Sequence, residues 1–316
     1  QIKNLRGYEA GTSAIVNGLV ARTNTTQGSR LAVALKDLPL DQRLRKQLPA
    51  AWQTLLDVYA PSGTVHITTT LELSPTGSWT PSNSVLTANS CKVKHARFPY
   101  PLEQLTGTLS QQGATRDWTV HIDAIAAGRP VQFRGQIQNA GPEAASQLDI
   151  SVDRLPIDDQ LLKAVSPAAR RSLEALELRG AVDVRARIVR PPGTNRKPTT
   201  TLNGRLVQAS VRFDKFPWPI NEISGNFQAT IQPNQYDWTF EKLNGHHRHA
   251  SVNGSAHFDG QSGQPRHFAL DLDVQHVNLD DQLRNACSKE LADLWDRIRP
   301  SGSLDGRIEF RRENTE

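Results

Sequence analysis

The stretch Arg179-Gly-Ala-Val-Asp-Val-Arg-Ala-Arg-Ile188 decides the fold class. From Val182 onward it alternates: Val182, Val184, Ala186 and Ile188 are apolar, and Asp183, Arg185 and Arg187 are charged. Successive side chains of a strand face opposite sides, so the stretch predicts a β-strand with one apolar and one charged face. A parallel sheet covered on both sides would read as unbroken apolar runs. The alternation therefore predicts an antiparallel sheet with one wet face.

The same pattern stands at corresponding places elsewhere. In residues 64–73, Val65, Ile67, Leu71 and Leu73, with Thr69, face one way, and His66, Thr68, Thr70 and Glu72 the other. Near the end, Leu304, Gly306, Ile308 and Phe310 oppose Asp305, Arg307 and Glu309. Alternation recurs at Val131, Phe133, Gly135 and Ile137, and at Leu148, Ile150 and Val152. Their counterparts are Ala250, Val252, Gly254 and Ala256, then Leu270, Leu272 and Val274; Phe227 joins the same apolar set. Weaker strands are expected near 84–95, 103–111 and 117–124.

Fixed anchors order these strands into a repeat. Leu38-Pro-Leu-Asp41 returns as Leu155-Pro-Ile-Asp158 and Val277-Asn-Leu-Asp280, 117 and 122 residues apart. Ser62-Gly63, Arg179-Gly180 and Ser301-Gly302 keep the same two spacings. Phe98-Pro-Tyr-Pro101 returns as Phe216-Pro-Trp-Pro219, and Asp117-Trp118-Thr119 as Asp237-Trp238-Thr239. Asn17-Gly18, Arg134-Gly135 and Asn253-Gly254 follow suit. The reading is one continuous, elongated, mainly β domain of tandem units. Residues 1–37 end one unit, 38–154 and 155–276 are full units of about six strands, and 277–316 begin another. The chain has no methionine and starts at Gln1, so an interior piece of a longer protein is expected.

A short helical segment interrupts each unit. Leu44, Leu48, Trp52, Leu55, Leu56 and Tyr59 fall on one helical face. Leu161, Val165, Leu173 and Leu176 mark the second copy, and Leu283, Leu291, Leu294, Trp295 and Ile298 the third. Asp41, Asp158 and Asp280 stand at N-cap positions. Ser166-Pro167 predicts a second N-cap with proline at the first helical position, so two short helices in series are expected. The prolines of Phe98-Pro-Tyr-Pro101 are expected at a rigid corner between strands.

Composition narrows the function classes. The 316 residues are 37% hydrophobic and 22% charged, with 37 basic against 32 acidic residues for a net charge of +5. The two signs are interspersed. The densest basic stretch, Arg187 to Pro198, carries Pro and Gly without aromatics and reads as a solvated loop, so nucleic-acid binding is not expected. The two cysteines, Cys91 and Cys287, make neither a disulfide framework nor a zinc motif; they read as small apolar residues. His246, His247 and His249 are private to one loop, replaced by Ala127-Gly128-Arg129 in the preceding copy. They read as a solvated loop, and no metal or cofactor is expected. Asp158-Asp159 and Asp280-Asp281 read as helix caps, and Trp118 and Trp238 as packing anchors. No Ser, His and Asp set recurs at nucleophile spacing, so the chain is not read as an enzyme.

The strands create a packing problem. Six strands of about eight residues present an apolar face on the order of 750 Å² per unit. Soluble monomers rarely expose patches above a few hundred Å², and a helix about 10 Å wide covers only part of it. The sheet must close into a barrel, fold as a sandwich, or curl into a U around something apolar. Unit passes into unit without linkers, which favours a shared, curled sheet with one apolar groove.

The residues also resemble a known family. Leu38-Pro-Leu-Asp-Gln-Arg-Leu-Arg-Lys-Gln-Leu-Pro49 is followed by an amphipathic segment and a strand opening on Ser62-Gly-Thr-Val65 or Arg179-Gly-Ala-Val182. After Pro191-Pro-Gly193 comes Phe216-Pro-Trp-Pro-Ile-Asn-Glu-Ile-Ser-Gly225, the counterpart of Phe98-Pro-Tyr-Pro-Leu-Glu-Gln-Leu-Thr-Gly107. Their order and spacing resemble the AsmA-like proteins of bacterial envelopes, relatives of TamB and YhdP, across the whole chain. The resemblance implies a long curled β-sheet in the periplasm, held to the inner membrane by a segment outside this chain. It implies that phospholipid acyl chains travel in the groove toward the outer membrane. No catalytic residue comes with it. The lining would be Val65, Ile67, Leu71 and Leu73; Val131, Phe133, Ile137, Leu148, Ile150 and Val152; and their later counterparts Val182, Val184, Ile188, Phe227, Val252, Leu270, Leu272, Leu304, Ile308 and Phe310. Two rival functions are a structural or adhesive β-repeat with a dry core and a chaperone-like groove for outer-membrane proteins. A dry core would need more aromatics than 6% and fewer glycines on the inner face.

Overall fold

The computed structural model describes residues 1–9, 11–20, 28–48, 50–74, 76–261 and 264–313. Among them sixteen strands form one antiparallel sheet in chain order, and that sheet is not closed. By contacts the chain divides into two compact units, Gln1–Ile150 with Ile188–Lys197, and Ser151–Arg187 with Pro198–Glu316.

The first unit opens on β1 (Ile2–Glu9), β2 (Thr12–Leu19) and β3 (Arg30–Pro39). The helices α1 (Gln42–Gln47) and α2 (Ala50–Tyr59) follow, then β4 (Ser62–Leu73), β5 (Trp79–His95), β6 (Phe98–Gln111), β7 (Trp118–Ala126) and β8 (Arg129–Gln138). β9 (Ala145–Pro156) passes from this unit into the second, where α3 (Asp159–Ala164) and α4 (Pro167–Ala175) follow. After β10 (Arg179–Arg190) come β11 (Thr199–Phe213), β12 (Phe216–Ile231), β13 (Gln235–His247), β14 (Ala250–Gln261) and β15 (Gln264–Asn278). The helices α5 (Asp281–Ala286) and α6 (Lys289–Ile298) precede the last strand, β16 (Ser303–Glu313). The series strand, helix, helix, strand thus occurs three times among the described residues.

The caps fall where the sequence places them. The Asp41 carboxylate accepts from the Arg43 and Leu44 N–H groups, Asp158 from Leu161, and Asp280 from Gln282 and Leu283. Ser166 caps α4, which opens on Pro167. Each satisfies amides that have no partner inside the helix. Trp52 and Leu55 lie outside the residues whose side chains are described.

Register keeps apolar beside apolar. In the first unit Leu35 opposes Ile67, Ile67 opposes Leu86, Leu86 opposes Leu109, and Leu109 opposes Val120. In the second, Phe227 opposes Phe240, Phe240 opposes Ala256, Ala256 opposes Leu270, and Leu270 opposes Phe310. A slip of one residue would turn each row to the charged side.

Two expectations change. Pro99 and Pro101 stand inside the opening of β6, and Pro217 and Pro219 inside that of β12; the turns are the residues just before, Ala96-Arg97 and Asp214-Lys215. Strand register shifts at these openings, between Lys94 and His95 and between Val211 and Phe213. Proline lacks an N–H and is tolerated at strand starts and irregularities. The basic stretch from Arg187 is not simply solvated either. Its first four residues end β10, and the Arg190 guanidinium donates to the backbone carbonyls of Pro142, Ala144 and Arg196. A fork of five donors suits this task, which a bare sequence count of charges does not reveal.

Candidate functional site

The apolar face gathers most of the residues singled out by alternation. In the first unit, Val65, Cys91, Leu105 and Ala124 form a buried cluster, with Ile67, Leu86, Ile122 and Phe133 packed around it. Ile122 opposes Phe133 and Ala124 opposes Val131, so β7 and β8 extend the same surface. Ile137 opposes Trp118. Leu71, Leu73, Leu148 and Ile150 are half-buried. Cys91 is buried, and its Sγ donates to the Thr64 carbonyl at 3.1 Å. Cys287 ends α5, and its thiol is pushed up by burial.

In the second unit, Val182 and Val184 pack against Leu206, Ala209, Ile223 and Phe227. A second cluster joins Val252, Val274, Val277 and Trp218 to Leu272 and to Ala286 and Leu283 of α5. Val152 is buried, and Leu270 is half-buried. Ile188, which groups with the first unit, is half-buried. Leu304, Ile308 and Phe310 remain exposed, at 39%, 49% and 49%, because β16 has a neighbour on one side only among the described residues.

One feature escaped sequence reading. Phe227, Trp238, Phe240 and Phe258 stand with ring centroids 5.9–6.1 Å apart. Trp238 is one of the two expected packing anchors, and Phe240 and Phe258 join it. The signal was present: Tyr236, Trp238 and Phe240 alternate at period two, which puts all three on one strand face. Trp238, Phe240 and Phe258 are half-buried, although strands flank them on both sides.

The opposite face is ionic. Arg134 pairs with Asp123 at 2.7 Å, Arg205 with Asp183 at 2.9 Å, Arg185 with Asp153 at 2.8 Å, and Arg311 with Asp271 at 2.8 Å. Partial burial opposes the charge on Asp183, but the Arg154 amide and the Arg205 guanidinium prevail and hold its carboxyl below the usual range. His257 pairs with Asp237, and His267 with Asp259. Asp237, His257 and Asp259 also place three ligand atoms within 4.8 Å of one another.

Of His246, His247 and His249, only His249 lies in the exposed turn expected from sequence. His246 and His247 end β13. His247 is buried, its ring lies 4.4 Å from that of Trp218, and its Nδ1 bonds the Pro219 carbonyl at 2.7 Å. Packing against the Trp-Pro strand opening overrides the polarity of the run. Beside it, a cleft of about 830 Å³ is lined by Arg212, Arg248, Asp280, Asp281 and Gln282 with Pro217 and Pro219. Its mixed charges set it apart from the apolar face.

Among the described residues, the helices meet strand ends within each unit. The Val58 carbonyl of α2 accepts from Ala96, just past β5, and the Ala175 and Leu176 carbonyls of α4 accept from Asp214 and Arg212 at the end of β11. Ala286 and Leu283 of α5 pack on the corresponding end of β12, β14 and β15. The aromatic row formed by Trp238, Phe240 and Phe258 belongs to neither the α5 cluster nor any helix contact described. No helix among the described residues is long and apolar enough to cross a membrane.

No family model, curated protein or solved structure matches this chain.

Proposed function

We propose that the apolar face of the sheet binds phospholipid acyl chains, in a protein of the AsmA-like kind whose tandem units present a continuous groove between two membranes. One observation carries the reading: among the described residues the sheet has an apolar and an ionic side, and on the apolar side Trp238, Phe240 and Phe258 stay half-buried although strands flank them on both sides. Apolar area left in water costs about 25 cal/mol per Å², so a ligand with acyl chains would gain by lying there. The ionic face is stitched for water. The repeat supports conduction more than storage, because equivalent positions recur 117 and 122 residues apart. A chain sliding from one unit to the next meets the same surface again.

The test is lipid extraction from the purified protein, followed by mass spectrometry. The unmodified chain should carry phospholipid. Ile67→Asp, Phe133→Asp and Ile150→Asp, each at a half-buried position, should lose most of it while circular dichroism stays that of a β-protein. A lipid-free wild type, or variants that carry as much lipid as wild type, would overturn the proposal.

A further inference from the structure

On the ionic face of the second unit, one group of side chains is built differently from the rest. Asp123, Asp153, Asp183 and Asp271 are each held by an arginine. Asp237 and Asp259 face histidines instead. His257 Nε2 lies 3.0 Å from Asp237 Oδ2, and His267 Nδ1 lies 2.9 Å from Asp259 Oδ2.

Three neighbouring strands bring the group together. Asp237 of β13 stands directly opposite Asp259 of β14, and Asp259 directly opposite His267 of β15. His257 precedes Asp259 by two residues and so shares its face of the strand. The frame is a paired ladder, whose β14–β15 register runs without a shift from Ser251 to Asp259. It puts ligand atoms of Asp237, His257 and Asp259 within 4.8 Å of one another. Two donors bound at about 2.0–2.1 Å to a tetrahedral ion lie about 3.3 Å apart. The 3.0 Å between His257 and Asp237 is close to the spacing that an ion would set. Asp259 can give one oxygen to the ion and keep the other on His267, whose Nδ1 lies 3.1 Å from Oδ1 and 2.9 Å from Oδ2. Carboxylate ligands of metals are steadied by outer hydrogen bonds of this kind.

The group is private to the second unit. Asp117 matches Asp237, but counting from the matched Gly135 and Gly254 puts Gln138 and Ala140 where His257 and Asp259 stand. Counting from Leu148 and Leu270 puts Ala145 where His267 stands. Asp117 is occupied otherwise, accepting from the Asn139 amide at 2.8 Å. The first unit builds the corresponding strands without a histidine or a second carboxylate at these places.

We infer that Asp237, His257 and Asp259 bind a divalent transition ion of the Zn²⁺ type, with His267 as a positioning residue behind Asp259. Imidazole together with carboxylates suits such an ion, whereas Mg²⁺ and Ca²⁺ favour oxygen ligands alone. The ion would tie β13 to β14. The inference stands whether or not lipid lies on the other face.

The test is calorimetric titration of the whole chain, stripped of metal, with ZnCl2 and separately with MgCl2. Saturable Zn²⁺ binding is expected, with Mg²⁺ at least tenfold weaker. His257→Ala and Asp259→Asn should each weaken Zn²⁺ at least tenfold. His267→Ala should weaken it about 10–100-fold, and His267→Asn, whose amide can donate from the place of Nδ1, should recover part of that loss. His249→Ala, at an exposed histidine outside the group, should change nothing. All four side chains of the group are partly exposed, so the variants should keep the circular dichroism and metal-free melting temperature of the unmodified chain. Absence of Zn²⁺ binding would overturn the inference. So would binding that survives His257→Ala and Asp259→Asn, binding lost with His249→Ala, or Mg²⁺ binding as tight as Zn²⁺.

Discussion

At the scale of single residues, Gly180 at the opening of β10 and Gly302 just before β16 give a matched experiment. Gly180→Ala adds a methyl against the Ala209 backbone in a left-handed conformation, and strained positions of that sort cost about 1–3 kcal/mol each. Gly302→Ala pays the left-handed cost without the collision, since its surroundings are open. Urea unfolding should therefore show a clearly larger loss for Gly180→Ala than for Gly302→Ala; equal losses would mean that β11 does not cross Gly180 as closely as drawn. A second residue-scale prediction concerns the helix pair. The Arg284 guanidinium grips Asp296 with two bonds and, with its charge, holds that carboxyl below the usual range. A carboxyl lowered on folding stabilises the fold above its unfolded pKa of about 3.9, and that stabilisation is lost as pH falls through the lower folded value. In a carbon-detected titration Asp296 should titrate below a free carboxyl, and Arg284→Gln should move it up. Arg45 and Asp57 repeat the pair between α1 and α2.

At the scale of elements, the chain was legible wherever a pattern has a physical period. Val182 to Ile188 alternate because one strand face is wet, and Asp41, Asp158 and Asp280 announce helices because the first amides need an acceptor. Asp158→Ala should cost about 0.5–2 kcal/mol, read as a lowered urea midpoint with unchanged slope. What stayed hidden depends on long-range neighbours. His247 looks solvated in its run, but Trp218 and the Pro219 carbonyl come to it from β12. Arg190 looks like part of a basic loop until Pro142 and Ala144 supply carbonyls from nearly fifty residues away. The aromatic row is intermediate: each ring sits at the right parity, but only the register of β12, β13 and β14 shows that they touch. The half-buried aromatic row makes its own prediction. Phe227 is 7% exposed and Phe240 is half-buried, so Phe227→Asp should lower the melting temperature far more than Phe240→Asp. Equal effects would point to a second layer over Phe240.

At the scale of the whole molecule, the lipid proposal rests on a sheet that is not closed and has an apolar and an ionic side. On the proposed lipid reading, a surface that repeated from unit to unit would offer a lipid no single deep well and no preferred direction, so an outside source of free energy would have to impose one. The claim at the centre is that acyl chains lie on the apolar face and not on the ionic one. Placing a photo-crosslinking benzophenone amino acid at Phe133 and Phe240, and separately at Gln132 and Glu241 on the opposite face, tests it most directly. Irradiation in cells followed by mass spectrometry should give lipid adducts at Phe133 and Phe240 and none at Gln132 and Glu241; adducts on both faces alike, or on neither, would contradict the account.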